Sequence, residues 1–208
     1  SLLRHGVRVV AADLAESSEP MGELQGMIAS EGLSHFLVPI VCDVTRWEDC
    51  LGTVQSAVRQ FGGLHGVVNN AGIGMQGIGN VLVGTRKKFY EVDAGAWAHS
   101  INVNVNGPFM MAKAAAPMLV DQGWGRIVNI VTSVYTMMMD GFSPYGPSKA
   151  ALEAATVIWS KDLAGTGVSV NALLPGGAAN TRMIPANEPV DRTTLVQPEA
   201  MMAPIAWL

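Results

Sequence analysis

The sequence predicts an α/β protein built as a doubly wound parallel sheet with helices on both faces. Short apolar runs rich in β-branched residues alternate with helical stretches, and the connections between them are short. No internal repeat or linker interrupts that order. Apolar residues make up 49% of the 208 and charged ones only 14%, which suits a sheet buried on both faces. By length, residues 1–208 read as one domain with enough material for a single core.

The first strand is "VRVVAAD" (7–13), an apolar run ending in an acid, and a weakly helical stretch follows to Ser30. "FLVPIVCD" (36–43) is the second strand. In "TRWEDCLGTVQSAVRQFGG", Thr45 and Glu48 predict a capping box. Trp47, Leu51, Val54, Val58 and Phe61 fall on one helix face, and Gly62 suits the position just past its end. "LHGVVNN" (64–70) is the third strand, followed by a glycine-rich loop to about Val92. Asp93 predicts the cap of a long helix reaching Asp121. "GRIVNIV" (125–131) is the fourth strand, and a Met-rich loop leads to a helix over 143–163 with Ser143 as cap and Pro144 as its first residue. "VSVNALLP" (168–175) is the last recognisable strand. Both ends read as cut: "SLLRHG" resembles the tail of a helix and "PEAMMAPIAWL" the middle of one.

Several function classes are poorly supported. The net charge is −4 and no basic cluster exceeds "RKK" at 86–88, so neither nucleic acid nor an anionic membrane is expected as a partner. No stretch of about 18 residues lacks strongly polar groups, and no signal peptide is visible. Cys42 and Cys50 have no metal-ligand spacing and read as buried thiols of a reducing cytoplasm, so no metal is expected. His5, His35, His65 and His99 form no triad or metal pattern and read as structural.

"NNAGIGMQGIG" (69–79) places Gly72, Gly74 and Gly77 in a Gly-x-Gly-x-x-Gly run. A true dinucleotide loop opens a helix directly, and its acid ends the next strand. Here more glycines follow with no helical stripe, and Asp93 precedes a helix, so the run is not read as the phosphate loop. Asp13, which does end a strand, is the better ribose acid. Its glycine loop is expected before residue 1.

Tyr145 and Lys149 lie four apart, on one helix face, soon after a strand ending in "VTS", and a helix carrying Asn104 comes earlier. A phenol is a poor base at its ordinary pKa of about 10, and lowering it three units takes about 4 kcal/mol. An ammonium nearby, helped by a cationic nicotinamide ring, is the expected source. A hydroxyl from Thr132 or Ser133 would hold the substrate oxygen in line. Pro108 lies inside the long helix and cannot bond the Asn104 carbonyl, leaving that carbonyl free for a water or simply kinking the helix.

"VVAAD", "CDVT", "NNAG", "NVNVNG", "RIVNI", "YGPSK" and "NALLPGG" occur in an order and spacing that resembles the short-chain dehydrogenase/reductase family over essentially the whole chain. The resemblance implies a Rossmann-like sheet and a single dinucleotide-binding domain that lacks the N-terminal glycine motif and the C-terminal strand. It implies Tyr145 as general acid/base, Lys149 on the nicotinamide ribose, and Asn104 holding a relay water. Thr132 stands where the family usually has its serine, with Ser133 next, so which hydroxyl works stays open. For the cofactor it implies Asp13 at the adenosine ribose, Asp43 and Val44 beside the adenine, Asn70, Ala71 and Gly72 on the adenosine side, and Pro175, Gly176 and Thr181 along the nicotinamide and phosphates. In the family the first strand lies between those ending at Asp13 and Asn69, so without it two strands lose their neighbour.

NAD is expected rather than NADP, because a carboxylate at Asp13 repels a 2′-phosphate and "LAES" after it brings no Arg. Met137, Met138 and Met139 suggest an apolar substrate wall or plain loop packing. The substrate expected is a small alcohol or carbonyl compound. Helices 94–121 and 143–163 are apolar on nearly every side and predict a homodimer or homotetramer. The expected activity is interconversion of a secondary alcohol and a ketone. A non-catalytic dinucleotide-binding protein and an isomerase or dehydratase relative are the alternatives.

Overall fold

The structure, a computed structural model, describes residues 2–15, 18–79 and 85–208. Glu16 and Ser17 of the "LAES" segment, and part of the loop after Gly79, lie outside the described residues. Five parallel strands form two sheets: β1 (Val9–Asp13) pairs with β2 (Leu37–Val41), and β4 (Gly125–Ile130) lies between β3 (Gly66–Asn69) and β5 (Val168–Leu173). β1 and β3 are not bonded to each other. The break falls where the sequence reading expects two strands to lose their neighbour.

Helices cover the strands as the pattern predicts. α2 (Trp47–Phe61) packs on β1, β2 and α4 (Gly107–Asp121), while α4 packs on β3 and β4, and α6 (Tyr145–Asp162) on β4 and β5. Alternation along β1 turns Val9 and Ala11 to a groove shared with Leu24 of α1 (Ser18–Ser30) and Ile205 of the terminal helix α7 (Met202–Trp207). The main core joins Cys42, Cys50, Val54, Met111, Ala115, Leu119, Ile127 and Val170.

Four local expectations need correction. The Thr45–Glu48 capping box does not form; α2 starts at Trp47 behind Arg46 with no side-chain cap. Thr45 instead donates its hydroxyl to Asp43 Oδ1 at 2.7 Å, and the Asp43 N–H donates to Asp49 Oδ2 at 3.0 Å. The buried stripe of α2 runs through Cys50, Val54 and Ala57, with Leu51 and Val58 flanking it, because α4 and β1 meet the helix between those two rows. Gly62 does end it, at φ +81°.

The predicted helix from Asp93 is interrupted. Asp93 caps α3 (Ala94–Ile101) by accepting from the Ala96 N–H at 2.9 Å. A π-helical segment, Asn102–Asn106, then joins α3 to α4, and Gly107 donates to the Asn102 carbonyl five residues back. Pro108 has no N–H for the Asn104 carbonyl, and the extra residue in the turn absorbs that loss. Lastly, α6 starts at Tyr145, and Ser143 is not its cap. The Gly146 N–H already bonds the Phe142 carbonyl at 2.6 Å, and the Ser148 N–H bonds the Pro144 carbonyl at 3.0 Å. No helix among the described residues is long and apolar enough to cross a membrane.

Candidate active site

Parallel strands bring their carboxyl ends to one edge, and loops from separate strands converge there. Asp13 ends β1, Asn69 ends β3, and Thr132 lies just past the end of β4. α6 then returns Tyr145 and Lys149 to the same edge.

Tyr145 is half-buried against Met75, Ile78, Phe142 and Met139. That apolar setting pushes its phenol above the ordinary range, and a hydrogen bond with the Thr132 side chain pulls the other way. The expected lowering by Lys149 is therefore corrected: in this arrangement burial wins. The Lys149 ammonium lies 5.9 Å from the Tyr145 ring centre and is only 4% exposed. It donates to the Ile130 carbonyl at 2.7 Å, and burial pushes its pKa down to about 8.

Thr132 and Ser133 separate cleanly. Ser133 caps α5 (Val134–Met137), accepting from the Thr136 N–H at 3.2 Å and lying 3.0 Å from the Thr136 hydroxyl. Thr132 faces the phenol. Sequence order alone could not distinguish them, because the direction of each side chain depends on where the short helix begins.

Asn104 is fully buried and clamps the loop after β3. Its Oδ1 accepts from the Ile73 N–H at 2.8 Å, while Nδ2 donates to the Ile73 carbonyl at 2.9 Å and to the Ser148 hydroxyl at 3.0 Å. Ser148 in turn donates to the Tyr145 carbonyl at 2.7 Å. Asn104 thus ties the glycine loop to the first turn of α6. Ser148 escaped the sequence reading, although its place three residues after the tyrosine set it near that row of the helix. A second buried chain was also missed: Asn69 donates to Asn129 at 2.8 Å, and Asn129 to Thr156 at 2.8 Å. Polar residues inside two apolar strands were its signal.

The glycine run opens only a short 3-10 turn, Met75–Ile78, so it is no phosphate loop. Its glycines serve close approach. A side-chain carbon at Gly72 would lie 3.3 Å from Asn104 Oδ1 and 3.6 Å from Lys149 Nζ, and one at Gly74 only 2.5 Å from Met183 Cγ. Met137 and Met139 pack inward while Met138 is exposed, so the Met-rich loop is mostly packing.

The remaining positions are less concentrated. Asp43 is half-buried with its carboxylate held well below the usual range by the Thr45 hydroxyl and N–H. Val44 packs under Gly107, where an added side-chain carbon would meet it at 2.8 Å. Asn70, Ala71, Gly176 and Thr181 are exposed and Pro175 half-buried. Thr181 Oγ1 accepts from the Met183 N–H at 3.3 Å.

These residues fit the two ribose ends of a nicotinamide dinucleotide. Asp13 presents a half-exposed carboxylate whose Oδ1 also accepts from the Leu14 N–H at 2.8 Å. Lys149 keeps donors beyond the one given to Ile130, beside a position that only a glycine leaves open. No glycine loop opening an α-helix occurs among the described residues, so the pyrophosphate cradle is not supplied by them.

Comparison with known proteins agrees with this arrangement. The family model for short chain dehydrogenase matches residues 1–190. The 2-(S)-hydroxypropyl-CoM dehydrogenase 3 of Xanthobacter autotrophicus is 34% identical over 185 residues, covering 87% of this chain and 66% of that protein. The chain thus spans just under two thirds of that relative's length. Among solved structures, an NAD+-bound xylitol dehydrogenase superposes with a TM-score of 0.73 at 29% identity, over 85% of this chain and 63% of the other. A gluconate 5-dehydrogenase from Burkholderia cenocepacia, in complex with NADP and tartrate, gives 0.71 at 26% identity, over 88% and 66%. With its Rossmann-like sheet and this match over nearly its whole length, the chain belongs to the short-chain dehydrogenase family.

Proposed function

We propose that this chain carries the catalytic site of an NAD-preferring oxidoreductase that interconverts a secondary alcohol and a ketone. The observation that carries this reading is the Tyr145 phenol hydrogen-bonded to Thr132 beside the buried Lys149 ammonium. A bound nicotinamide dinucleotide would supply or accept the hydride. Tyr145 moves the proton at the substrate oxygen, and Thr132 orients that oxygen through the same hydroxyl that meets the phenol. A phenol held protonated by burial is suited to act as the acid in reduction. Lys149 binds the nicotinamide ribose through donors that Ile130 leaves over, and Asn104 holds the loop and the first turn of α6 in register. Asp13 accepts the adenosine ribose hydroxyls.

Residues 1–208 act in this reading as one incomplete dinucleotide-binding domain, its sheet completed by a strand between β1 and β3. Two copies associate through α4 and α6. A groove of about 410 Å³ between these helices, lined by Phe109, Ala112, Ala116, Val120, Trp159 and Leu163, supports that. Buried free thiols at Cys42 and Cys50 are in keeping with the cytoplasm.

NADH binding by fluorescence enhancement, followed by cofactor reduction with a panel of simple secondary alcohols, tests the reading. NADH binding with alcohol-dependent NAD+ reduction is the expected outcome; binding without any turnover would return the chain to a non-catalytic binder. The two hydroxyls give a sharper check. Thr132→Ala is expected to lower kcat/KM about 100-fold. Ser133→Ala removes a helix cap, costing about 1 kcal/mol of stability, and is expected to leave kcat/KM largely intact.

A further inference from the structure

The loop after β5 crosses the cleft and brings a cation to the ribose acid. Arg182 Nη2 lies 4.0 Å from Asp13 Oδ2, with the two side chains 73% and 44% exposed. Neither the spacing of the sequence nor the residues after Asp13 point to this pair. The loop is held on both sides of the arginine. Met183 rests on Gly74, and Ile184 is buried. Asn180 donates its N–H to the Val196 carbonyl at 2.9 Å and accepts from Arg192 Nη1 at 2.8 Å. Arg182 is therefore presented to the end of β1 by an anchored segment.

We propose that Arg182 sets cofactor choice: it offsets the Asp13 carboxylate at the adenosine-ribose corner, so that a 2′-phosphate is accepted there and NADPH is bound as well as NADH. The proposal rests on the dinucleotide reading above. A lone carboxylate accepts ribose hydroxyls and repels a 2′-phosphate. A guanidinium carries five donors in a fixed fork and remains charged at all working pH values, so it can turn from the carboxylate to the phosphate. The exposure of both groups makes their mutual attraction weak and salt-sensitive, which leaves Arg182 free to exchange partners. NADH carries no 2′-phosphate and needs only the carboxylate.

The test is titration of the 208-residue chain with NADH and with NADPH by nicotinamide fluorescence, in the wild type, Arg182→Ala and Arg182→Lys. Arg182→Ala is expected to weaken NADPH about tenfold or more, as for loss of a charge-assisted contact, and to change NADH by less than about twofold. Arg182→Lys, which keeps the charge, is expected to fall between. Equal weakening of both cofactors would place Arg182 on the shared pyrophosphate and overturn the proposal, as would no change in either. A wild type that binds neither cofactor would overturn the dinucleotide reading and this inference with it. NADH binding by the wild type establishes that reading separately, before any variant is compared.

Discussion

Tyr145→Phe is expected to lower kcat/KM about 1,000-fold while leaving NADH affinity nearly unchanged, the size expected for loss of a positioned acid/base group. The phenol oxygen is the only atom removed, and the ring keeps its packing on Met75, Ile78 and Phe142. Thr132 loses its phenol partner but stays half-buried near solvent, so the fold should tolerate the change. Steady-state kinetics alongside fluorescence titration separates the two effects. A variant that keeps more than about a tenth of the wild-type rate would remove Tyr145 from the proton-transfer role, since acid/base catalysis contributes at least about 100-fold. Because burial holds the phenol above its usual range, the wild-type reduction should persist to alkaline pH before the acid form is lost.

Lys149→Met is expected to have two separable effects. Without the ammonium the nicotinamide ribose loses its charged donor, and NADH affinity should fall about 10-fold or more, as for a hydrogen bond to a charged group. Stability should also lose a pH dependence. Lys149 has a pKa near 8 in the folded protein against a reference value of 10.5. Between those values the unfolded chain binds more protons than the folded one, so wild-type stability rises with pH from 8 to 10.5. The gain across that window is about 3 kcal/mol, from the 2.5-unit difference. The methionine variant has no such proton to release. Below pH 8 the wild type carries the full cost of burying the charge, whereas the variant instead leaves the Ile130 carbonyl without its 2.7 Å donor. Denaturant unfolding at pH 7 and at pH 10.5 measures the comparison. The stability difference between the two proteins should shift toward the wild type by about 3 kcal/mol as the pH rises. Parallel pH dependences would mean that Lys149 is not charged and buried as described.

Much of this arrangement was legible in the residues. Strand positions followed from short β-branched runs, and the Tyr145–Lys149 pair from helical spacing, because both signals are local and periodic. The break between β1 and β3 was legible once the order of strands was read, since parallel strands need a neighbour supplied by the chain. Helix caps were less so. Thr45 and Ser143 both had capping chemistry, yet each lost the role when nearby groups took the donors first.

The sequence by itself determined the alternation of elements, the apolar faces that bury them, and which side chains carry acid, base and hydroxyl chemistry. Only the tertiary structure decided how those groups act on each other. It turned Thr132 rather than Ser133 to the phenol, buried Asn104 between the glycine loop and Ser148, raised Tyr145 instead of lowering it, and set Arg182 against Asp13. The reason is physical. Periodicity reports which face of an element is apolar, but hydrogen-bond partners, desolvation and charge pairs depend on distances between residues far apart in the chain, and packing alone sets those.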